Sequence, residues 1–172
     1  MNTDQLRNLQ APLKKKYQET PKTALITLRA HGRLGEGVTC NVETGKALVQ
    51  AGLHPATGGD GLSVCSGDML LEALVACAGV TLNAVATSIG VEIKEGIVHA
   101  EGDLDFRGTL GVSKEVPVGF QNIRLQFELK TNASQEQLAT LMKLTERYCV
   151  VYQTLRQSPE ISMSARPTSP GT

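Results

Sequence analysis

Cys77 and Cys149 are the residues of this chain whose type and surroundings could support redox chemistry. Each sits within an apolar helical segment, Cys77 in LLEALVACAGVTL and Cys149 in LTERYCVVYQTL. A thiol on the apolar face of a helix is either a small hydrophobe filling a core or, where a donor or positive charge lowers its pKa, a thiolate nucleophile. Periodicity by itself leaves both readings open. The other two cysteines, Cys40 and Cys65, fall in a strand and just ahead of a helix. The four contain no C-x-x-C, which argues against a structural disulfide framework and against cysteine ligation of a metal. His31 and His54 lie in or near turns and His99 on the polar face of a strand, so no His/Cys metal set forms either. The glycines of HPATGGDG lack the G-K-[ST] and the preceding strand of a phosphate loop.

The elements that must position these cysteines follow from the apolar pattern. Leu6, Leu9, Leu13 and Tyr17 predict a short peripheral helix over residues 1–20, interrupted by Pro12 and followed by a solvated Lys14-Lys15-Lys16 run. Ala24, Ile26, Leu28 and Ala30 alternate, then HGRLGEG turns the chain, then Val38, Cys40 and Val42 alternate again. This is a hairpin with Arg33 at its tip. The first long helix is predicted to start at a Ser66 cap, to carry Asp68 in its first turn and to stop at Gly90. Its apolar residues cover most of the circumference, which makes it central, and Glu72, unusual within so apolar a helix, must reach solvent, a positive partner or a cleft.

Residues 98–107 and 120–130 alternate apolar and polar and predict two antiparallel strands, each with one wet face. Ser134 and Gln137 have capping-box spacing and open a second helix that carries Leu138, Leu141, Met142, Thr145 and Cys149 on one stripe. Ile161, Met163 and Ala165 read as a terminal strand, and 167–172 as a tail. The whole is α+β, one domain over residues 21–166.

Among 172 residues there are 17 basic and 17 acidic side chains, three Phe, three Tyr and no Trp. The balanced charge excludes an electrostatic case for nucleic acid or an anionic membrane, and the aromatic content excludes a base-stacking platform. The polar N-terminus does not read as a secretory signal, and Met69 to Gly90 is broken by Glu72 and Asn83, so it reads as a core helix and not a membrane span. The predicted location is the cytoplasm.

GDMLLEALVACAGVTLNAVAT, followed by ERYCVVYQTL with its cysteine 72 residues after Cys77, resembles the OsmC/Ohr family of thiol-dependent peroxidases (osmotically inducible protein C and organic hydroperoxide resistance protein). HGRLGEG resembles that family's turn with its active-site arginine. The resemblance covers about residues 22–166. It implies antiparallel sheets packed around two central buried helices in an intertwined homodimer, with the site at the subunit interface. It also implies a peroxidatic role for Cys77, a resolving role for Cys149, and an Arg33 guanidinium holding the thiolate. The substrate would be an organic hydroperoxide and the reductant an external dithiol of lipoyl type, with no cofactor and no metal.

The resemblance departs at two positions. Gly67 stands where the family's peroxidases commonly have a glutamate, leaving Asp68 or Glu72 as possible supporting carboxylates, and Val150 replaces a proline, which allows a continuous helix through Cys149. The missing glutamate keeps an alternative open, a non-catalytic OsmC-like module that binds a small apolar ligand or senses redox state through its thiols.

Overall fold

A computed structural model describes residues 2–20, 32–34, 39–43 and 48–166. The strand predicted over Ala24 to Ala30, His31, Val38 and the 167–172 tail lie outside the described residues. In chain order the elements are α1 (Thr3–Glu19), β1 (Gly32–Leu34), β2 (Thr39–Glu43), β3 (Leu48–Gly52), β4 (Val64–Cys65), α2 (Ser66–Ile89), β5 (Ile93–Asp103), α3 (Phe106–Thr109), β6 (Asn122–Thr131), α4 (Gln135–Tyr148) and α5 (Val150–Arg156). A short 3-10 turn, Pro55–Thr57, occupies the HPATGGDG loop.

The α2 helix organises everything else. Its stripe Leu74, Ala78, Leu82, Val85 and Ala86 is buried against β5, α4 and α5. Gly90 ends it at φ 73, a left-handed conformation that glycine adopts without a Cβ penalty, and its N–H caps the Ala86 carbonyl. The start differs from expectation. Cys65, not Ser66, is the N-cap, and it makes no side-chain capping hydrogen bond. The parallel pairing of β4 with β3 carries Cys65 opposite Gly52 and so sets where the helix begins.

The β5–β6 sheet is antiparallel as expected, with Val98 opposite Phe127 and Ala100 opposite Leu125. Its outer face carries cross-strand ion pairs, Arg124 Nη2 to Asp103 Oδ1 at 2.8 Å and Lys130 to Glu95 at 2.9 Å. β5 ends at Asp103, four residues before the predicted end, because the Asp105 carboxylate accepts from the Arg107 N–H and starts the single turn α3. Phe120 precedes β6 and folds back over β5 at Gly102. A Cβ built on Gly102 would stand 2.5 Å from the Phe120 ring, so only glycine permits this approach.

Four further expectations are corrected. The first sheet, ordered β1-β2-β3-β4, is mixed and not purely antiparallel, since β3 and β4 run parallel. α1 continues through Pro12 and packs on α2, with the Thr3 hydroxyl donating to the Thr87 carbonyl at 2.9 Å. A proline in mid-helix costs one hydrogen bond without obliging the helix to end. Arg33 lies within the β1 ladder opposite Asn41, not at the hairpin tip, because Gly32 to Leu34 pair fully with β2. Ile161, Met163 and Ala165 form no strand. Alternation sets which side chains share a face, but a strand also needs an edge to pair with, and Ile161 and Met163 stand exposed.

The capping box is present as predicted: Ser134 accepts from the Gln137 N–H, and the Gln137 side chain accepts from the Ser134 N–H at 2.9 Å. α4 buries Leu141 and Thr145 against α2.

Gly102→Ala should lower stability by about 1–3 kcal/mol, the range for overpacking a filled site. Urea unfolding measures it, and Phe120→Leu combined with Gly102→Ala should recover part of the loss.

Candidate active site

The helical register of α2 and a break in the last helix bring the two predicted thiols together. Cys77 is half-buried on α2, beside the buried Ala78. Cys149 is 1% exposed and belongs to the same apolar cluster, walled by Leu74, Val98, Ile123 and Leu125. Both are free thiols.

Contrary to the expectation of a helix continuous through Cys149, α4 stops at Tyr148 and α5 begins at Val150. Cys149 takes φ −73 and ψ 107, an extended conformation, and serves as the last cap of one helix and the first cap of the next. The hydrogen-bond ladder spans the elbow, since the Cys149 N–H donates to Thr145 O at 3.0 Å and the Cys149 carbonyl accepts from the Gln153 N–H at 2.9 Å. The β-branched pair Val150-Val151 restrains a helix at this point without the proline that the family commonly has there. The break leaves the first N–H groups of α5 without helical partners.

Two of those N–H groups, of Val150 and Val151, act to lower the Cys77 pKa. Burial works to raise the Cys77 pKa. The Val151 N–H, the Cys149 thiol, the Val150 N–H and the Thr81 hydroxyl all donate toward it, and together they hold Cys77 below the ordinary thiol range. Burial pushes Cys149 up, with the Tyr152 and Val151 N–H groups offsetting only part of this and the neighbouring Cys77 adding to the rise. Cys77 is thus the more readily ionised thiol of the two, and the Cys149 thiol is a donor toward it.

Of the other predicted site residues, Arg33 is placed by its backbone in β1, and its side chain is outside the described residues. Asp68 and Glu72 are exposed on α2. At about 100° per residue, Glu72 lies ~140° around the helix from Cys77 and Asp68 ~180°, so neither shares the thiol's face. Cys65 lines a separate cavity of about 350 Å³ with His54, Asp68 and Phe120. Among the described residues no cluster of three His, Cys, Asp or Glu is arranged to hold a metal ion.

Two contributors were not anticipated from sequence. Thr81 is one helical turn beyond Cys77, and its i+4 spacing is a signal that could have identified it. The α5 N–H groups had no such signal, because they depend on the break. The elbow is also clipped from outside: Arg156 of α5 pairs with the Glu146 carboxylate of α4, and Gln153 Nε2 donates to the Glu146 carbonyl at 2.8 Å.

The helix–sheet frame that holds the two thiols is shared with known proteins of the OsmC type. The family model described as OsmC-like protein matches residues 58–164, and the chain belongs to that family. A search of curated proteins gives no match. Solved structures share the fold at low identity. An OsmC-like protein from Mycoplasma pneumoniae superposes with a TM-score of 0.65 at 16% identity, over 77% of this chain and 89% of that one. An organic hydroperoxide resistance protein OsmC from Legionella pneumophila gives 0.61 at 17%, over 77% and 91%. An organic hydroperoxide resistance protein from Elizabethkingia anophelis gives 0.61 at 16%, over 78% and 91%.

In a Cys149→Ala protein, Cys77 loses the donated thiol proton, so the midpoint of its alkylation-rate profile should move to higher pH. Thr81→Val should move it the same way by less. Stopped-flow alkylation across pH 5 to 9 checks both, and unchanged midpoints would remove these donors from the site. Arg156→Ala should speed alkylation of Cys149 while changing stability by under about 1 kcal/mol, because the Glu146 pair is half exposed.

Proposed function

We propose that this chain is a thiol peroxidase that reduces organic hydroperoxides. The observation that carries this is the contact between Cys77, drawn toward thiolate, and Cys149, held as the thiol. The Cys77 thiolate attacks the distal oxygen of ROOH, the O–O bond breaks, and RO⁻ leaves to take up a proton as ROH, with Cys77 oxidised to sulfenic acid. The Cys149 sulfur then displaces hydroxide, the Cys149 proton leaving with it as water, and the Cys77–Cys149 disulfide forms. An external dithiol, of lipoyl type in the family, reduces that disulfide by exchange. The apolar walls around the pair suit an organic hydroperoxide better than hydrogen peroxide. Arg33 is the cation we assign to the thiolate. This chemistry belongs in a reducing compartment such as the cytoplasm, where thiols remain free between turnovers.

The working unit is a homodimer, with residues 21–166 as its single domain. Among the described residues α2 is the one helix long and apolar enough to cross a membrane, yet it packs on β5, α4 and α5, and its exposed Val80 suits a second protein surface. Ile161 and Met163, alternating and exposed, suit pairing with a second copy's sheet edge.

A second reading, a thiol sensor or non-catalytic binding module, is favoured by Gly67 and by the turn of Asp68 and Glu72 away from the Cys77 face. The discriminating experiment is consumption of cumene hydroperoxide with a dithiol reductant. Wild type should turn over, Cys77→Ser should be inert, Cys149→Ser should stop after one equivalent, and Arg33→Ala should be at least tenfold slower. A wild type inert with every dithiol sinks the peroxidase reading. Light scattering should give a dimer mass, with Ile161→Lys/Met163→Lys shifting it toward monomer.

A further inference from the structure

The break at Cys149 changes the partner of one backbone acceptor. In an α-helix the carbonyl of residue i accepts from the N–H of residue i+4. α4 keeps to this rule as far as Thr145, whose carbonyl accepts from the Cys149 N–H at 3.0 Å, and the ladder resumes at Cys149, whose carbonyl accepts from the Gln153 N–H at 2.9 Å. Between these two bonds, a continuous helix would give the Glu146 carbonyl the Val150 N–H. That carbonyl accepts instead from the side chain of Gln153, with Nε2 at 2.8 Å. The released Val150 N–H is one of the backbone donors that act to lower the Cys77 pKa. Gln153 therefore spans the elbow twice, its backbone N–H on Cys149 and its side-chain amide on Glu146. The Glu146 carboxylate, paired with Arg156 of α5, ties the same two helices together. Orphan carbonyls at a helix end are met by side chains, by water or by another turn of backbone. Were the Glu146 carbonyl open, taking the Val150 N–H would extend α4 through Cys149.

We propose that Gln153 is a positioning residue for Cys77: by occupying the Glu146 carbonyl, its amide keeps the Val150 N–H out of the helix ladder and available to the sulfur. It acts through these two backbone groups and not by a bond of its own to the thiol. Cys149 of the elbow and Tyr152 of α5 are the titratable side chains in the cluster around Cys77, β5 and β6 face it with apolar side chains, and α2 turns Asp68 and Glu72 to its other faces. The hydrogen bond from Gln153 lies at the surface, so its loss costs little stability and its effect falls on the acidity of the thiol. The part Gln153 plays in turnover rests on the peroxidase reading; its effect on acidity does not.

The test is the pH profile of Cys77 alkylation in the reduced full-length chain, without peroxide, followed on the Cys77 peptide by mass spectrometry so that the other thiols do not contribute. Gln153→Leu and Gln153→Met keep a side chain of similar size and lose the donor. Both should move the midpoint up by about 0.4 to 1 pH unit, the contribution of one hydrogen bond to the thiolate. The Cys149 Cα resonance should shift toward its helical value in both, as α4 extends. Val150→Pro has no N–H to divert and cannot join the α4 ladder. Adding Gln153→Leu to it should therefore leave the midpoint within about 0.3 unit of Val150→Pro alone. A midpoint unmoved in both Gln153 variants, with or without a lower melting temperature, would mark a merely structural role and overturn the proposal. So would an undiminished rise in the Val150→Pro background or an unmoved Cys149 resonance. A wild type inert toward peroxides sinks the peroxidase reading and leaves this result intact, because no turnover is measured.

Discussion

The interruption of the helix at Cys149 is the constraint on which the site depends. A continuous helix would bond the N–H groups of residues 150–152 to carbonyls one turn earlier and leave only side chains to face Cys77. With ψ 107 at Cys149, the chain turns and α5 presents N–H groups instead. Backbone donors need no rotamer ordering and carry no net charge, so they stabilise a thiolate within an apolar cluster at little desolvation cost. The same turn places the Cys149 thiol against Cys77, so one local break supplies both the donor set and the neighbouring sulfur.

The protonation asymmetry follows from where each sulfur lies relative to that break. Cys77 receives donors from α5 and from Thr81 on its own helix. Cys149 is almost fully buried, and its proximity to Cys77 favours its neutral form. Each state reinforces the other: a thiolate at Cys77 is a better acceptor, and an S–H at Cys149 is its donor. Such coupling belongs to the pair and not to either residue.

The α2 helix carries two demands at once. Its Leu74, Ala78, Leu82 stripe anchors the sheet and the α4–α5 elbow, while Leu70 and Val80 remain exposed. A helix apolar on nearly all sides is fully satisfied only when surrounded. Ile161 and Met163, which alternate without a ladder, are exposed in the same way.

Much of this was legible in the residues. Period-two alternation marked β5 and β6 with their wet faces, the Ser134/Gln137 spacing marked the α4 cap, Gly90 marked the end of α2, and the two cysteines stood out by type and apolar setting. These are local properties: side-chain periodicity and cap chemistry act within one or two turns. What tertiary structure decided is the parallel β3–β4 pairing, the early end of β5 at the Asp105 cap, the helix break at Cys149 and the absence of a C-terminal ladder. The β3–β4 pairing depends on backbone groups finding partners more than ten residues along the chain, and the Asp105 cap and the break at Cys149 on which of several local hydrogen bonds packing allows. Sequence could nominate Cys77 and Cys149, and only packing could bring them into one cluster and set their acidities in opposite directions.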